Sequence, residues 1–195
     1  MIVIKISKVK DKYKLFFDSH DPVIIFEDTY INFNLKLKME VNHELLEKLL
    51  SDDKKEKAFN QTFKYALKYK TEEEIKKYIK KYELSLADEH ILIKRLFDLN
   101  LINDQNIVEQ YLNKKESKKK LMHQLSLRGI SQTLIDEYFK DFNETDNMLQ
   151  VYQKNLKRFS KYPDADVRMI RYLLSKGFDY HQIKKMVGIK SIEFD

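Results

Sequence analysis

The chain has no cysteine and no tryptophan, and its 195 residues include only two prolines and three glycines. Without cysteine there are no disulfides, no thiolate nucleophile and no cysteine-held zinc, which suits a reducing compartment. Sheets with many tight turns need more glycine and proline than this, so helices are expected to dominate. No apolar run approaches the roughly 20 residues of a membrane span. The opening MIVIKISKVKDK is too short and too charged for a secretory signal. The expectation is a cytoplasmic protein with no membrane contact. Catalytic signatures are missing too: no P-loop, no GxGxxG and no GxSxG. His20, His43, His90, His123 and His181 are scattered singly, with no HxxxH or HExxH pair. No enzyme, metal or cofactor is expected.

What is present is charge and apolar patterning. Charged residues make up 35% of the chain and hydrophobic ones 43%, a globular composition. The net charge of +6 is unevenly placed. Residues 1–50 balance 8 basic against 8 acidic, residues 51–110 balance 12 against 12, and residues 111–195 carry 17 basic and 11 acidic. The whole excess lies in the last part, which favours a polyanion or an acidic protein groove as partner, with a solvated surface as the alternative.

The first 40 residues read differently from the rest. IVIKIS, YKLFF and PVIIF are short β-branched and aromatic runs separated by turn residues. INFNLKLKM alternates, with Ile31, Phe33, Leu35, Leu37 and Met39 on one side, the pattern of a half-buried strand. A short helix through Asp28–Asn34 is the competing reading. Residues 1–41 are thus expected to form a small β-rich module, too small to be stable unless it packs on the helices after it.

From Asn42 the period becomes helical. HELLEKLL, capped by Asn42, and KAFNQTFKYALKY read as two helices. TEEEIKKYIKKY opens with a capping box in which Thr71 and Glu74 satisfy each other's backbone N–H groups. Three acids in that turn also suit the helix dipole. ADEHILIKRLFDLN is the next helix, with a stripe of Ile91, Leu92, Leu96 and Leu99. Six further segments then read as helices, from DQNIVEQYL to YHQIKKMV.

Three helical segments written three times suggest an internal repeat. KKYIKKYELS, MHQLSLRGIS and IRYLLSKGFD superpose with Ile79, Leu125 and Leu173 aligned and with Glu83, Gly129 and Gly177 aligned. An apolar residue comes next each time (Leu84, Ile130, Phe178), then a capping type (Ser85, Ser131, Asp179). Gly129 and Gly177 stand where a residue of positive φ closes a helix. Glu83 in the first copy implies a looser or differently built corner. The expected organisation is a linker helix and repeat 1 over 42–100, repeat 2 over 101–143 and repeat 3 over 144–195. The fold class is mainly α, three tandem three-helix repeats after the β-rich module.

Candidate partner contacts are the outward basic residues of repeats 2 and 3. Lys115, Lys119 and Lys120 surround the apolar stripe of Leu121 and Leu125, and Arg128 stands at its end. Lys157 and Arg158 are interleaved with Phe159 and Tyr162. Arg168, Arg171 and Lys176 flank a stripe of Val167, Ile170, Leu173 and Leu174, with Tyr172 also outward. A basic face with aromatics can hold a phosphate backbone.

The stretches LFDLNLINDQNIVEQYL and KKLMHQLSLRGISQTLIDEYF resemble the RecX family of bacterial recombination regulators. Leu99, Leu101, Ile102 and Asp104 fit the family's Leu-Gly-Leu-Ile-Asp-Asp-like turn. Leu125, Arg128, Gly129, Ile130, Leu134 and Ile135 fit its basic helix ending Leu-Arg-x-Lys-Gly-Ile and the apolar helix after it. Thr71, Glu74 and Ile75 fit an earlier stretch, and IVIKISKVKDKYKLFFD is similar to the family's opening β-rich segment. The departures are Lys70, Asn103, Ile107-Val108 in place of an aromatic-Ala pair, and Ser117 where many members have glycine. The resemblance implies an elongated, curved array of repeats and a non-enzymatic protein. It implies binding to the RecA filament on single-stranded DNA and inhibition of its ATPase and strand exchange, in recombination, DNA repair and the SOS response. Weak direct DNA binding and a monomeric state are further expectations. Two other readings stay open: a helix-turn-helix reader of duplex DNA, which the acidic Asp136 and Glu137 after the corner disfavour, and a repeat scaffold whose charge only solvates it.

Overall fold

The computed structural model describes residues 1–187; the last eight residues of the expected third repeat, with the third glycine, Gly188, among them, lie outside the described residues. The chain divides into two compact units. The first holds residues 1–70 and 75–102, the second residues 71–74 and those from 103 onward.

In the first unit, strands β1 (Val3–Val9), β2 (Lys12–Phe17) and β3 (Val23–Phe26) form an antiparallel meander in the order β1-β2-β3. Alternation along each strand buries Val3, Leu15, Phe17 and Ile25. These pack with Leu35, Val41, Leu46 and Leu49 in one core. Each such side chain contributes roughly 1.5–3 kcal/mol on burial.

Residues 31–39 do not form the strand that their alternation suggests, and the competing reading of a short helix near Asp28–Asn34 is the one that holds. Glu27–Asn32 is a short helix, α1, and Asn34 and Lys38 both take positive φ. Ile31 and Leu37 are 62% and 60% exposed, while Leu35 is buried. The period-2 pattern is therefore not a one-sided face. The segment meets the start of β1 through the Val3 N–H, which donates to the Met39 carbonyl at 3.0 Å, and the Lys38 N–H, which donates to the Val3 carbonyl at 2.8 Å, next to the Ile2–Glu40 bridge.

HELLEKLL and KAFNQTFKYALKY are not separate helices but one, α2 (His43–Ala66), started by the Asn42 side chain accepting from the Leu45 N–H at 2.8 Å. The polar Ser51-Asp52-Asp53 stretch looks like a break because its partners are distant. Asp53 Oδ1 accepts from the Phe26 N–H at 2.6 Å and from the Thr29 hydroxyl at 3.0 Å. The first half of α2 covers the sheet. Its second half supplies Ala58, Phe59 and Ala66 to another core, with Ile75, Ile79, Tyr82, Leu92, Leu96 and Ile102. Those residues come from α3 (Glu72–Ile79), a 3-10 turn at Lys80–Tyr82 and α4 (Leu86–Asp98). The stripe of α4 is narrower than its sequence suggests: Leu92 and Leu96 are buried, but Ile91 and Leu99 are exposed.

The second unit has two cores. Helices α5 (Asp104–Leu112), α6 (Lys118–Leu127) and α7 (Gln132–Phe139) enclose Ile107, Val108, Leu121, Leu125, Ile130, Ile135 and Phe139. Helices α8 (Glu144–Phe159), α9 (Ala165–Ser175) and α10 (Tyr180–Val187) enclose Met148, Val151, Met169, Ile170, Leu173, Phe178 and Ile183. In α9 the buried face is turned from the expected one. Met169 joins Ile170 and Leu173, Val167 is only half-buried, Leu174 is exposed, and Tyr172 is half-buried rather than outward.

The helix corners share one backbone device. Gly129 and Gly177 have φ of +82° and +89°. The N–H of Ile130 bonds the Leu125 carbonyl at 3.2 Å and that of Gly129 bonds Ser126 at 2.9 Å. Phe178 and Gly177 bond Leu173 and Leu174 in the same way. This double bond pattern, with an apolar contact across the turn, closes a helix. Glu83 adopts the left-handed conformation too, at φ 49°, after a 3-10 turn instead of an α-helical one. Ser85, Ser131 and Asp179 then cap the next helix, each accepting from a backbone N–H three residues on.

Candidate partner-binding face

The second unit is organised around two junctions where a helix corner meets the start of an earlier helix. At the first, Thr71 is fully buried. Its hydroxyl accepts from the Glu74 N–H at 3.1 Å and donates to the Arg128 carbonyl at 2.7 Å, while Glu74 returns a bond to the Thr71 N–H at 3.0 Å. The Arg128 guanidinium grips both oxygens of Glu74, at 3.1 and 2.8 Å. Asp104 Oδ1 takes the Glu72 N–H at 3.0 Å. Gly129 lies so close that a Cβ there would stand 2.5 Å from Glu73 Cγ.

The second junction repeats the plan with other residues. The Ser117 hydroxyl accepts from the Lys120 N–H at 3.2 Å, and the Ser117 N–H donates to the Lys176 carbonyl at 3.0 Å. Glu144 takes the Lys118 N–H at 3.2 Å, as Asp104 takes that of Glu72. A Cβ on Gly177 would stand 2.6 Å from Ser117 Oγ. Both glycines therefore answer two demands at once, positive φ and close approach.

These junctions absorb three of the nine candidate cations. Hydrogen bonding to Glu74 raises the Arg128 guanidinium above its ordinary pKa, and its side chain is 21% exposed. Lys120, expected to point outward, is half-buried. Its ammonium donates to the Ser175 carbonyl at 2.8 Å and pairs with Glu116 at 3.1 Å. Lys176 reaches the same Glu116 oxygen at 3.6 Å. Burial alone would lift the Glu116 carboxyl, but Lys120, Gln124 and Lys176 overcome it and hold the group below its usual value.

The other six are exposed. Arg158 lies beside the rings of Phe159 and Tyr172, at 5.2 and 5.9 Å from their centroids, and Lys176 approaches Tyr172 from 5.8 Å. Lys157 stands next to Arg158 on α8. Arg168 sits over Tyr162 at 4.3 Å and is paired with Asp164 at 2.7 Å, which lowers the Asp164 pKa and raises that of Arg168. Arg171 lies one turn along, with its charge also acting on Asp164. Lys115 is held by Gln150 at 2.6 Å. Lys119 lines a shallow groove with Met122, His123, Gln132 and Glu144. The candidates thus separate into a cation–aromatic cluster built from α8, α9 and the turn between them, and two lysines apart from it, Lys115 before α6 and Lys119 on α6.

No family model matches the chain. Whole-sequence similarity is informative. Regulatory protein RecX of Clostridioides difficile is 28% identical, across all of this chain and 97% of its own length. Regulatory protein RecX of Streptococcus uberis is 30% identical, across all of this chain and 79% of its own length. The chain belongs to the RecX family. Two solved RecX structures have the same fold: a regulatory protein RecX (TM-score 0.61, 21% identity, 96% of this chain and 98% of that one) and RecX from Lactobacillus salivarius (TM-score 0.52, 23% identity, 70% and 96%).

Five of the residues that carry the RecX resemblance meet at the first junction: Thr71, Glu74, Asp104, Arg128 and Gly129. The departures fit the same structure. Asn103 caps α5 by accepting from the Asn106 N–H at 2.8 Å, Ile107 and Val108 are buried, and Ser117 caps α6. Sequence reasoning missed Glu116 and Asp164 as anchors for the cations. Their spacing four residues before Lys120 and Arg168 is the signal that would have found them. Among the described residues no cluster of His, Asp or Glu could hold a metal ion, and no helix is long and apolar enough to cross a membrane.

Proposed function

We propose that this RecX protein binds the RecA filament on single-stranded DNA and inhibits RecA's ATPase and strand exchange, so restraining recombination and repair in the cytoplasm. The observation that carries the reading is similarity to regulatory RecX proteins along the entire chain. The recurring junctions support a reading as three-helix repeats, over 42–100, 101–143 and 144–195 after the module at 1–41, in a protein proposed to act as a monomer. Contact with the filament is assigned first to Lys157, Arg158, Arg168 and Arg171, with Lys115 and Lys119 as a second group. Arg128, Lys120 and Lys176 hold the corners that present them.

The ion pair of Arg168 does not argue against this role. Exposed pairs are worth roughly 0–1 kcal/mol and open readily to a better anion. Titration of the protein into RecA-driven strand exchange and ATP hydrolysis tests the proposal. Inhibition at stoichiometric amounts together with filament co-sedimentation is expected. Neither effect would leave the repeat-scaffold reading, and tight binding to one duplex sequence without RecA would favour the DNA reader.

A further inference from the structure

Helix α9 starts differently from α2 and from α4 to α8. In those six, Asn42, Ser85, Asn103, Ser117, Ser131 and Asn143 stand at the N-cap, and each side chain accepts from the backbone N–H three residues on. Asp164 stands at the N-cap of α9 and is chemically suited to the same task, yet it makes no such bond. Its carboxylate accepts from Arg168 Nε at 2.7 Å instead.

Both side chains of this pair are about half exposed. An exposed i,i+4 pair supports a helix only weakly, and a good N-cap is worth more. Helix stability therefore does not account for where this carboxylate is spent. Its surroundings do. Arg168 lies over the Tyr162 ring at 4.3 Å, so ring and carboxylate hold the guanidinium between them. The charge of Arg171, one turn along, acts on the same carboxylate. Asp164 is thus an internal counter-ion set among the cations of α8 and α9.

We propose that Asp164 is a specificity-determining residue, a built-in competitor that neutralises Arg168 and sets how strong an anion must be to recruit it. A single mobile anion, such as free phosphate, gains too little at Arg168 to displace a carboxylate already in place. A surface that presents several fixed anions gains at Arg158 and Arg171 as well, and so takes Arg168 too. Removal of the competitor strengthens binding, and weak anions benefit most. A carboxylate that only positioned Arg168 for its partner would have the opposite effect when removed. The inference rests on the assignment of Arg168 to the filament.

Asp164→Asn tests it, because asparagine keeps the shape and the capacity to cap and removes the charge. Asp166→Asn removes the same charge from an exposed position in the first turn of the same helix and serves as the control. In RecA strand exchange the half-inhibiting concentration of the full chain is expected to fall about three- to fivefold for Asp164→Asn. For Asp166→Asn it is expected to stay near that of the parent. In an Arg168→Ala background most of the effect of Asp164→Asn is expected to vanish. A second readout needs no RecA: inorganic phosphate is titrated into the full chain and followed by NMR at the Arg168 Nε–H. Phosphate is expected to bind about three- to fivefold more tightly to Asp164→Asn than to the parent. Circular dichroism melts confirm that each variant is folded. An unchanged or raised half-inhibiting concentration for Asp164→Asn overturns the proposal. So does an equal gain from Asp166→Asn, or a gain that persists in full without Arg168. If the parent does not act on the filament, the filament reading falls and the phosphate titration decides this one, with equal affinity in parent and variant overturning it.

Discussion

The Thr71 hydroxyl donates to the backbone carbonyl of Arg128, 57 residues away, at 2.7 Å. The same oxygen caps α3 by accepting from the Glu74 N–H. One buried side chain therefore starts a helix and anchors the end of another. Thr71→Val keeps the shape and leaves a buried donor and a buried carbonyl without partners. A loss of about 1–3 kcal/mol is expected in urea denaturation, with Thr71→Ser close to the parent. Ser117→Ala removes only a cap, because the contact with Lys176 is made by the Ser117 backbone N–H; about 1 kcal/mol is expected there.

Opposite signs are expected at the two kinds of corner. Gly129→Ala places a Cβ at positive φ and within 2.6 Å of both Cβ and Cγ of Glu73. Those atoms are close to the helix backbone and cannot swing away, so roughly 2–4 kcal/mol is lost. Glu83→Gly relieves a left-handed residue that carries a side chain, and a gain of up to about 1 kcal/mol is expected. Thermal melts of the two variants check both.

How much a sequence reveals depends on the distance between partners. The Thr71–Glu74 box and the Gly129 and Gly177 terminators are local, so spacing and residue type expose them. The partners of Arg128 and Lys176 lie 54 and 60 residues back, at Glu74 and Glu116. No periodicity reports such a pair, and a helical wheel places Lys120 on an exposed side because it knows nothing of Ser175. Asp53 misleads for the same reason: its bonds to Phe26 and Thr29 let a polar stretch sit inside α2. Residues 31–39 alternate well enough to mimic a strand, yet the positive φ at Asn34 and Lys38 interrupts the extended backbone a strand needs.

Two carboxylates should give opposite pH profiles. Burial raises the Asp104 pKa, countered in part by the Glu72 N–H. Its ionised form therefore costs stability at neutral pH, and that cost disappears as pH falls through the raised value. Asp104→Asn keeps the acceptor for Glu72 and is expected to be at least as stable as the parent at pH 7, with an advantage that shrinks on acidification. Glu116 is held below its usual value. Its contribution is present above the unfolded pKa and is lost as pH falls through the lowered one. Glu116→Gln should lose roughly 0.5–1 kcal/mol at pH 7 and converge with the parent in acid. Denaturation midpoints at several pH values separate the two slopes.

The proposed filament contacts can be distinguished from the corners that support them. Arg158 and Arg171 are exposed, and the ring neighbours of Arg158 keep their own core contacts without it. Arg158→Ala with Arg171→Ala should leave the melting temperature within about 2 °C of the parent, as surface changes usually do. The concentration that half-inhibits RecA strand exchange should rise about tenfold or more, because charged contacts to a nucleoprotein set both affinity and its salt dependence. Arg128→Ala should do the reverse. It leaves Glu74 without its bidentate partner and costs stability, yet the fraction still folded should inhibit as the parent does. If the double variant inhibits normally while Arg128→Ala fails in its folded form, the binding face lies at the first junction and not on α8 and α9.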